Sequence, residues 1–394
     1  MTKLKTWMKD NLKGDPVLWG IVIAFSLISI LVVYSATGTL AYKKMGGNTE
    51  YFLFKHTSLI FVGLAFMWLA HKINYRYYSR LSLLALCISA PLLLFTWVFG
   101  SNINEASRWL TIPIINQTFQ PSDLAKLALI SHLASMLSKR QMNIQDIRKT
   151  LIPILIWSGV ICGLIALSNI STAVLLFLTC MLLMFIGRVP FKYIVMLVVV
   201  GAICGSIALA VGQRMGTAIS RIETFLDPTE TVFQMEQSYI AIATGGVFGK
   251  GPGNSDQRNF LPHSYSDFIY AIILEEYGLL GGVIILFLYL AFLYRGLVTV
   301  MRSNGAFGGL LSAGLCFSLV LQAMVNMGVA VGLGPVTGLP LPLLSMGGTS
   351  LIFTGISIGI ILSVSRTDAE QNEAATGVAA NVPNAVSANV AVNA

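Results

Sequence analysis

Charge is scarce in this chain: 11% of its 394 residues are Asp, Glu, Lys or Arg, while 55% are hydrophobic. A soluble globule carries about twice that density of charge, so the composition excludes one and leaves the bilayer as solvent. Alternation at period two is missing, which excludes a membrane β-barrel built from alternating strands of roughly ten residues. The five cysteines all fall inside long apolar runs, where they read as small packing residues and offer no disulfide framework. His56, His71, His132 and His263 lack the spacing to cysteines or carboxylates that a transition-metal site needs.

What the chain has instead is apolar runs of bilayer length, about 20 residues each, one after another. They predict an all-α polytopic membrane protein with ten transmembrane helices, at 17–37, 52–70, 81–99, 121–138, 150–168, 171–187, 190–212, 268–294, 307–331 and 349–365. The first run follows Lys3, Lys5, Lys9 and Lys13 but is long and lacks a small-residue cleavage site, so it reads as a retained helix. The net charge of +8 is explained by orientation and not by nucleic acid. Cations such as Lys72, Arg76, Lys139, Arg148, Arg295 and Arg302 concentrate in alternate loops, which the positive-inside rule places in the cytoplasm with both termini. Residues 1–16 then form a cytoplasmic segment, 17–366 the membrane domain and 367–394, rich in Ala, Asn and Val, a disordered cytoplasmic tail.

Most connections are short. The exception is 213–266, an extracytoplasmic loop by parity, and long loops in compact proteins usually carry function. Within it Tyr239–Val247 is too short to span and suits a re-entrant or interfacial helix. Two further outer loops stand out: 100–120 with Arg108 and Trp109, and 332–348, where Pro335, Pro340 and Pro342 preclude regular helix.

Asp267 ends the long loop just before an apolar helix. It suits an N-cap, and equally a general base at a membrane–water boundary. Glu275 and Glu276 lie two turns deeper, where an ion pair or a proton relay would justify their placement. Asp123 and Lys126 share a helix face, as a local salt bridge or as part of an anion site with Arg108. The glycines of TGGVFGKGPGN lack Walker A spacing and a preceding strand, so they suit close substrate approach, with Lys250 as an anion contact.

These residues resemble the SEDS family (shape, elongation, division and sporulation). The resemblance is carried by YSATG from Tyr34, SRWL from Ser107, FQPSDLAKL from Phe119, the run from Phe248 to Gly282, and TGLPLPLLSMGGTS from Thr337. The GNSxQ run, Gly253 to Gln257, is more similar to the division branch than to the elongation branch. The resemblance implies peptidoglycan glycosyltransfer: polymerisation of lipid II into glycan strands on the outer face of the bacterial cytoplasmic membrane, at the division septum. Asp267 matches the essential carboxylate of the family's HTDF motif, and Lys126 and Arg108 match basic positions suited to pyrophosphate. Gln257, Ser266 and Ser345 are implied substrate contacts, and a divalent cation, Mg or Mn, would act through the phosphates. The chain departs from the pattern at Tyr265, where relatives carry His, and at Asn169, where they carry Asp. The implied partners are a class B penicillin-binding protein transpeptidase and other divisome membrane proteins. Many spans with intramembrane carboxylates and a lysine would equally suit a lipid II flippase, and a recruiting scaffold is a third reading.

Overall fold

The computed structural model describes residues 11–38, 40, 42, 48–103, 106–112, 117–141, 144, 146–211, 215–226 and 233–380. Each of the ten predicted runs coincides with a helix: α1 Pro16–Ala36, α2 Thr49–Lys72, α3 Arg76–Phe99, α4 Pro121–Lys139, α5 Ile152–Ala166, α6 Ile170–Ile186, α7 Phe191–Val211, α10 Ile269–Arg302, α11 Ala306–Ala330 and α12 Gly348–Ala380. Between α7 and α10 lie two more, α8 Met215–Leu226 and α9 Phe233–Gly245, the latter over much of the short apolar stretch noted above.

Seven helices of the described residues are long and apolar enough to cross a membrane: α1, α2, α3, α5 with its preceding turn, α10, α11 and α12 as far as Glu370. The helices α6 and α7 are apolar but shorter by that measure. The helix α4 is outside both sets, and its polar Ser122, Asp123, Ser131 and Ser135 are buried. Large apolar side chains such as Leu31, Phe54, Ile284 and Phe287 are exposed on the outside, as lipid-facing surfaces require.

Local chemistry sets the helix starts. Asp15 caps α1 by accepting from Val17 N–H at 2.9 Å, with Pro16 in the first turn, and Pro121 opens α4 in the same way. Asn169 caps α6, accepting from Thr172 N–H at 3.2 Å. The helices α2 and α12 pack backbone to backbone: a Cβ on Gly355 would stand 2.3 Å from the Gly63 carbonyl oxygen. The tail expected from residue 367 begins as a continuation of α12 to Ala380, tied down by Lys13–Glu370 at 3.0 Å; residues 381–394 are outside the described set.

Two features correct the all-helical, uninterrupted picture. The first is a small antiparallel sheet, β1 Ser101–Ile103, β2 Ala106–Ile112 and β3 Gln117–Phe119, in the loop between α3 and α4. Outside the apolar spans the chain is free to pair its backbone between strands.

The second is a break in α10 at Gly278, whose φ of 66° and ψ of −168° no other residue type adopts easily. In an unbroken helix Leu279 and Leu280 would donate to Glu275 and Glu276. They donate instead to the carbonyls of Gly246 and Val247, at 2.9 and 3.2 Å, while Lys250 and Gly251 N–H groups take the vacated carbonyls of Glu275 and Glu276. The segment after α9 is thus spliced into the helix. Two helical hydrogen bonds are exchanged for four to the loop.

Candidate functional site

A cavity of about 320 Å³ opens at the end of the bundle where α4 and α12 begin. Its walls are the start of α4, the cap of α6, strands β2 and β3, the segment before α10, and the Gly338–Pro340 and Met346–Ser350 backbone. Irregular backbone at this depth is tolerated because it lines a cavity.

Asp267 and Lys126 both face this cavity, brought together from positions far apart in sequence. Lys126 Nζ pairs with Asp123 Oδ1 at 2.8 Å, so the local salt bridge and the cavity position coexist. Asp123 is nearly buried and its second oxygen has no hydrogen-bond partner among the described residues. Lys126 Nζ also donates to Gln322 Oε1 at 3.5 Å.

Asp267 does not cap α10. The cap residue is Phe268, with no side-chain cap bond, and the Asp267 carboxylate accepts instead from Ser266 Oγ at 2.8 Å. Ser345 does not line the cavity; it is a strut. Its hydroxyl accepts from Leu341 N–H at 2.7 Å and donates to the Ser266 carbonyl at 2.6 Å, while Met346 N–H donates to the Tyr265 carbonyl at 2.9 Å. Ser266 does line the cavity.

Two expected substrate contacts lie elsewhere. Lys250 Nζ is claimed by Glu275 at 2.7 Å and Asp256 at 2.9 Å, which hold its ammonium above the usual lysine pKa. Gln257 is buried and donates its backbone N–H to Glu275 at 3.2 Å. Glu275 also accepts from Asp256 N–H at 3.1 Å and from the Ser255 hydroxyl, so the acid clamps the 250–257 loop. Neighbouring Glu276 accepts from Ser35 at the end of α1, where Arg258 Nη1 donates to the Ser35 carbonyl at 3.3 Å. Glu275 is thus ion-paired with Lys250. Arg108 belongs to β2, and its side chain is outside the described residues.

The two departures from the family pattern, Tyr265 and Asn169, both line the cavity. Burial, reinforced by the charge of Asp267, raises the phenol pKa of Tyr265 and keeps it neutral. Asn169 keeps the helix-capping half of a carboxylate's repertoire. His263 and Gln322 also line the cavity and were not singled out by sequence reasoning. An amide inside an apolar span was the available signal for Gln322. Arg221 on α8 donates to the Val336 carbonyl at 3.0 Å; burial lowers its pKa and the nearby charge of Asp267 opposes that shift. Among the described residues no group of three or more His, Cys, Asp or Glu side chains is placed to hold a metal ion.

Fold and site together define a polytopic helical membrane protein with a polar cavity at one end of its bundle, carrying a carboxylate and a paired lysine. Residues 15–370 match the family model described as "Cell cycle protein", covering FtsW, RodA and SpoVE, and the chain belongs to this family. It is 32% identical to a Geobacter metallireducens protein named "Probable peptidoglycan glycosyltransferase FtsW", over 91% of this chain and 96% of that one. It is likewise 32% identical to the Bacillus subtilis "Stage V sporulation protein E", over 90% and 98%. Among solved structures it superimposes on one described as "Structural coordination of polymerization and crosslinking by a peptidoglycan synthase complex", with a TM-score of 0.70 and 25% identity over 90% of this chain and 98% of that one. Thermus thermophilus RodA gives a TM-score of 0.66 at 25% identity, over 90% and 97%.

Proposed function

We propose that this protein is a peptidoglycan glycosyltransferase that polymerises lipid II into glycan strands during septal cell-wall synthesis. The observation that carries the reading is the placement of Asp267 and Lys126 on one cavity at one end of the bundle. Supporting it are the FtsW and SpoVE names of its relatives.

In the proposed reaction the Asp267 carboxylate takes the proton of the acceptor GlcNAc 4-hydroxyl. The oxygen forms a bond to the anomeric carbon of the donor, and the bond from that carbon to undecaprenyl pyrophosphate breaks, the electron pair leaving with the phosphate. Lys126, paired with Asp123, stabilises that leaving anion. Arg108 is proposed as a second phosphate contact. Tyr265, neutral, and Ser266 position the acceptor side, and no step passes through a metal ion.

The membrane arrangement belongs to the same proposal. The helices α4, α6 and α7 cross together with the seven longer ones, making ten spans, with both termini cytoplasmic and the cavity on the outer face. A class B penicillin-binding protein is the proposed partner that crosslinks the product. The test is polymerisation of lipid II by the purified chain with that transpeptidase, compared with Asp267→Asn. Transfer of labelled lipid II between leaflets without glycan would instead identify a flippase.

A further inference from the structure

Two carboxamides, Gln322 and Asn326, lie one turn apart on one face of α11 and are buried. Polar side chains inside a span are costly, so each needs partners that repay its burial. Asn326 Nδ2 donates to the backbone carbonyl of Asp267 at 2.8 Å and to that of Leu339 at 2.7 Å. Gln322 Nε2 donates to the Pro340 carbonyl at 2.8 Å, and its oxygen faces Lys126 Nζ at 3.5 Å. One helix face therefore touches the segment that carries Asp267, the Leu339–Pro340 wall of the cavity, and the lysine opposite.

Each of these carbonyls depends on an outside donor. Ala271 N–H, which would reach Asp267 in a regular helix, donates to Phe268 instead. Pro340 and Pro342 have no N–H with which to satisfy their own loop. The Asn326 amide orientation is fixed as well: flipped, its oxygen would face two carbonyl oxygens.

We infer that Gln322 and Asn326 are positioning residues that set the spacing between Asp267 and Lys126 across the cavity. The kinetic arm of this inference rests on the glycosyltransferase reading; its structural arm does not. A helix is a stiff ruler, and a displacement of about 1 Å at a reacting group costs on the order of 100-fold in rate.

The test uses the full-length chain with its transpeptidase in the lipid II assay. Asn326→Asp keeps the shape but removes the donor to both carbonyls. Its kcat per folded molecule is expected to fall about 30-fold or more, with KM within about threefold of wild type, as misplacement of a reacting group requires. Deuterium uptake in the peptide spanning 261–268 rises in parallel. Gln322→Glu supplies Lys126 with a second carboxylate and is expected to raise KM about fivefold or more with a smaller change in kcat. A stability role alone would reduce the amount of folded protein and leave both constants of the folded fraction unchanged.

The inference is overturned if folded Asn326→Asp keeps kcat within about twofold of wild type. If that variant does not fold, Gln322→Glu decides, and unchanged KM and kcat overturn the inference. If wild type makes no glycan, the functional reading is what fails. The uptake measurement then decides alone: unchanged exchange at 261–268 in Asn326→Asp, or in Gln322→Glu at the peptide containing Pro340, overturns the spacing role.

Discussion

Replacing Glu275 by Gln tests how the 250–257 segment is held to α10. Glu275 is fully buried and accepts from Lys250 Nζ, the Ser255 hydroxyl and the backbone N–H groups of Asp256 and Gln257. An amide of the same shape loses the charge and one of its two accepting atoms. A hydrogen bond to a charged group contributes about 1.5–3 kcal/mol and a neutral one about 1, so four weakened or lost bonds amount to several kcal/mol. Part of that is regained because Lys250 is a quarter exposed and can turn to water or to Asp256, leaving a net cost of about 3 kcal/mol. That corresponds to about 100-fold in the local opening equilibrium. Hydrogen exchange of the peptide spanning 250–257 should accelerate by that factor, while α1 and α11 stay protected. Acceleration below about threefold would refute the clamp. In a double-mutant cycle with Lys250→Met the two effects should be strongly non-additive.

Other consequences follow from the same geometry. Gly278→Ala would put a Cβ 2.3 Å from the Val247 carbonyl at a φ of 66°, so the spliced segment should be expelled and become protease-sensitive at 246–258. Because the Lys250 pKa is raised, by Glu275 first and then Asp256, its stabilisation is complete below the ordinary value of 10.5 and is lost as pH rises through the folded value. Thermal inactivation should therefore steepen at alkaline pH in wild type, and Lys250→Met should flatten that dependence. Lys126→Met is expected to lower lipid II turnover by about 100-fold, the loss typical of removing a charge stabiliser, with the protein still folded; activity within threefold of wild type would remove Lys126 from the site.

The helices were legible because bilayer-length apolar runs admit few other structures, and each run from 17–37 to 349–365 coincides with one. The break in α10 was not legible. A glycine within an apolar helix is ordinary, and what makes Gly278 a break is the loop from Gly246 to Gly251 that occupies its hydrogen bonds. The sheet at 101–119 escaped for the same reason, since its strands are short and their pairing is non-local. At the site, Asp267 and Lys126 could be singled out as costly groups near span ends, but local sequence suggested a cap for Asp267 that the backbone gives to Phe268. Lys250 and Gln257 share a motif with Asp267 and read as substrate contacts, but they do not line its cavity. A turn around Glu275 carries them away from it. Gln322 and Asn326 act through backbone carbonyls, which a sequence does not display.

In the proposed reaction Asp267 does its chemistry in a cavity that Lys126 shares. The most direct measurement is the yield of glycan from lipid II by the full chain with its transpeptidase, for wild type and for Asp267→Asn matched for folded protein. Wild type should give long glycan strands and Asp267→Asn none, with unchanged elution and melting. Glycan of normal length and amount from Asp267→Asn would exclude Asp267 as the base.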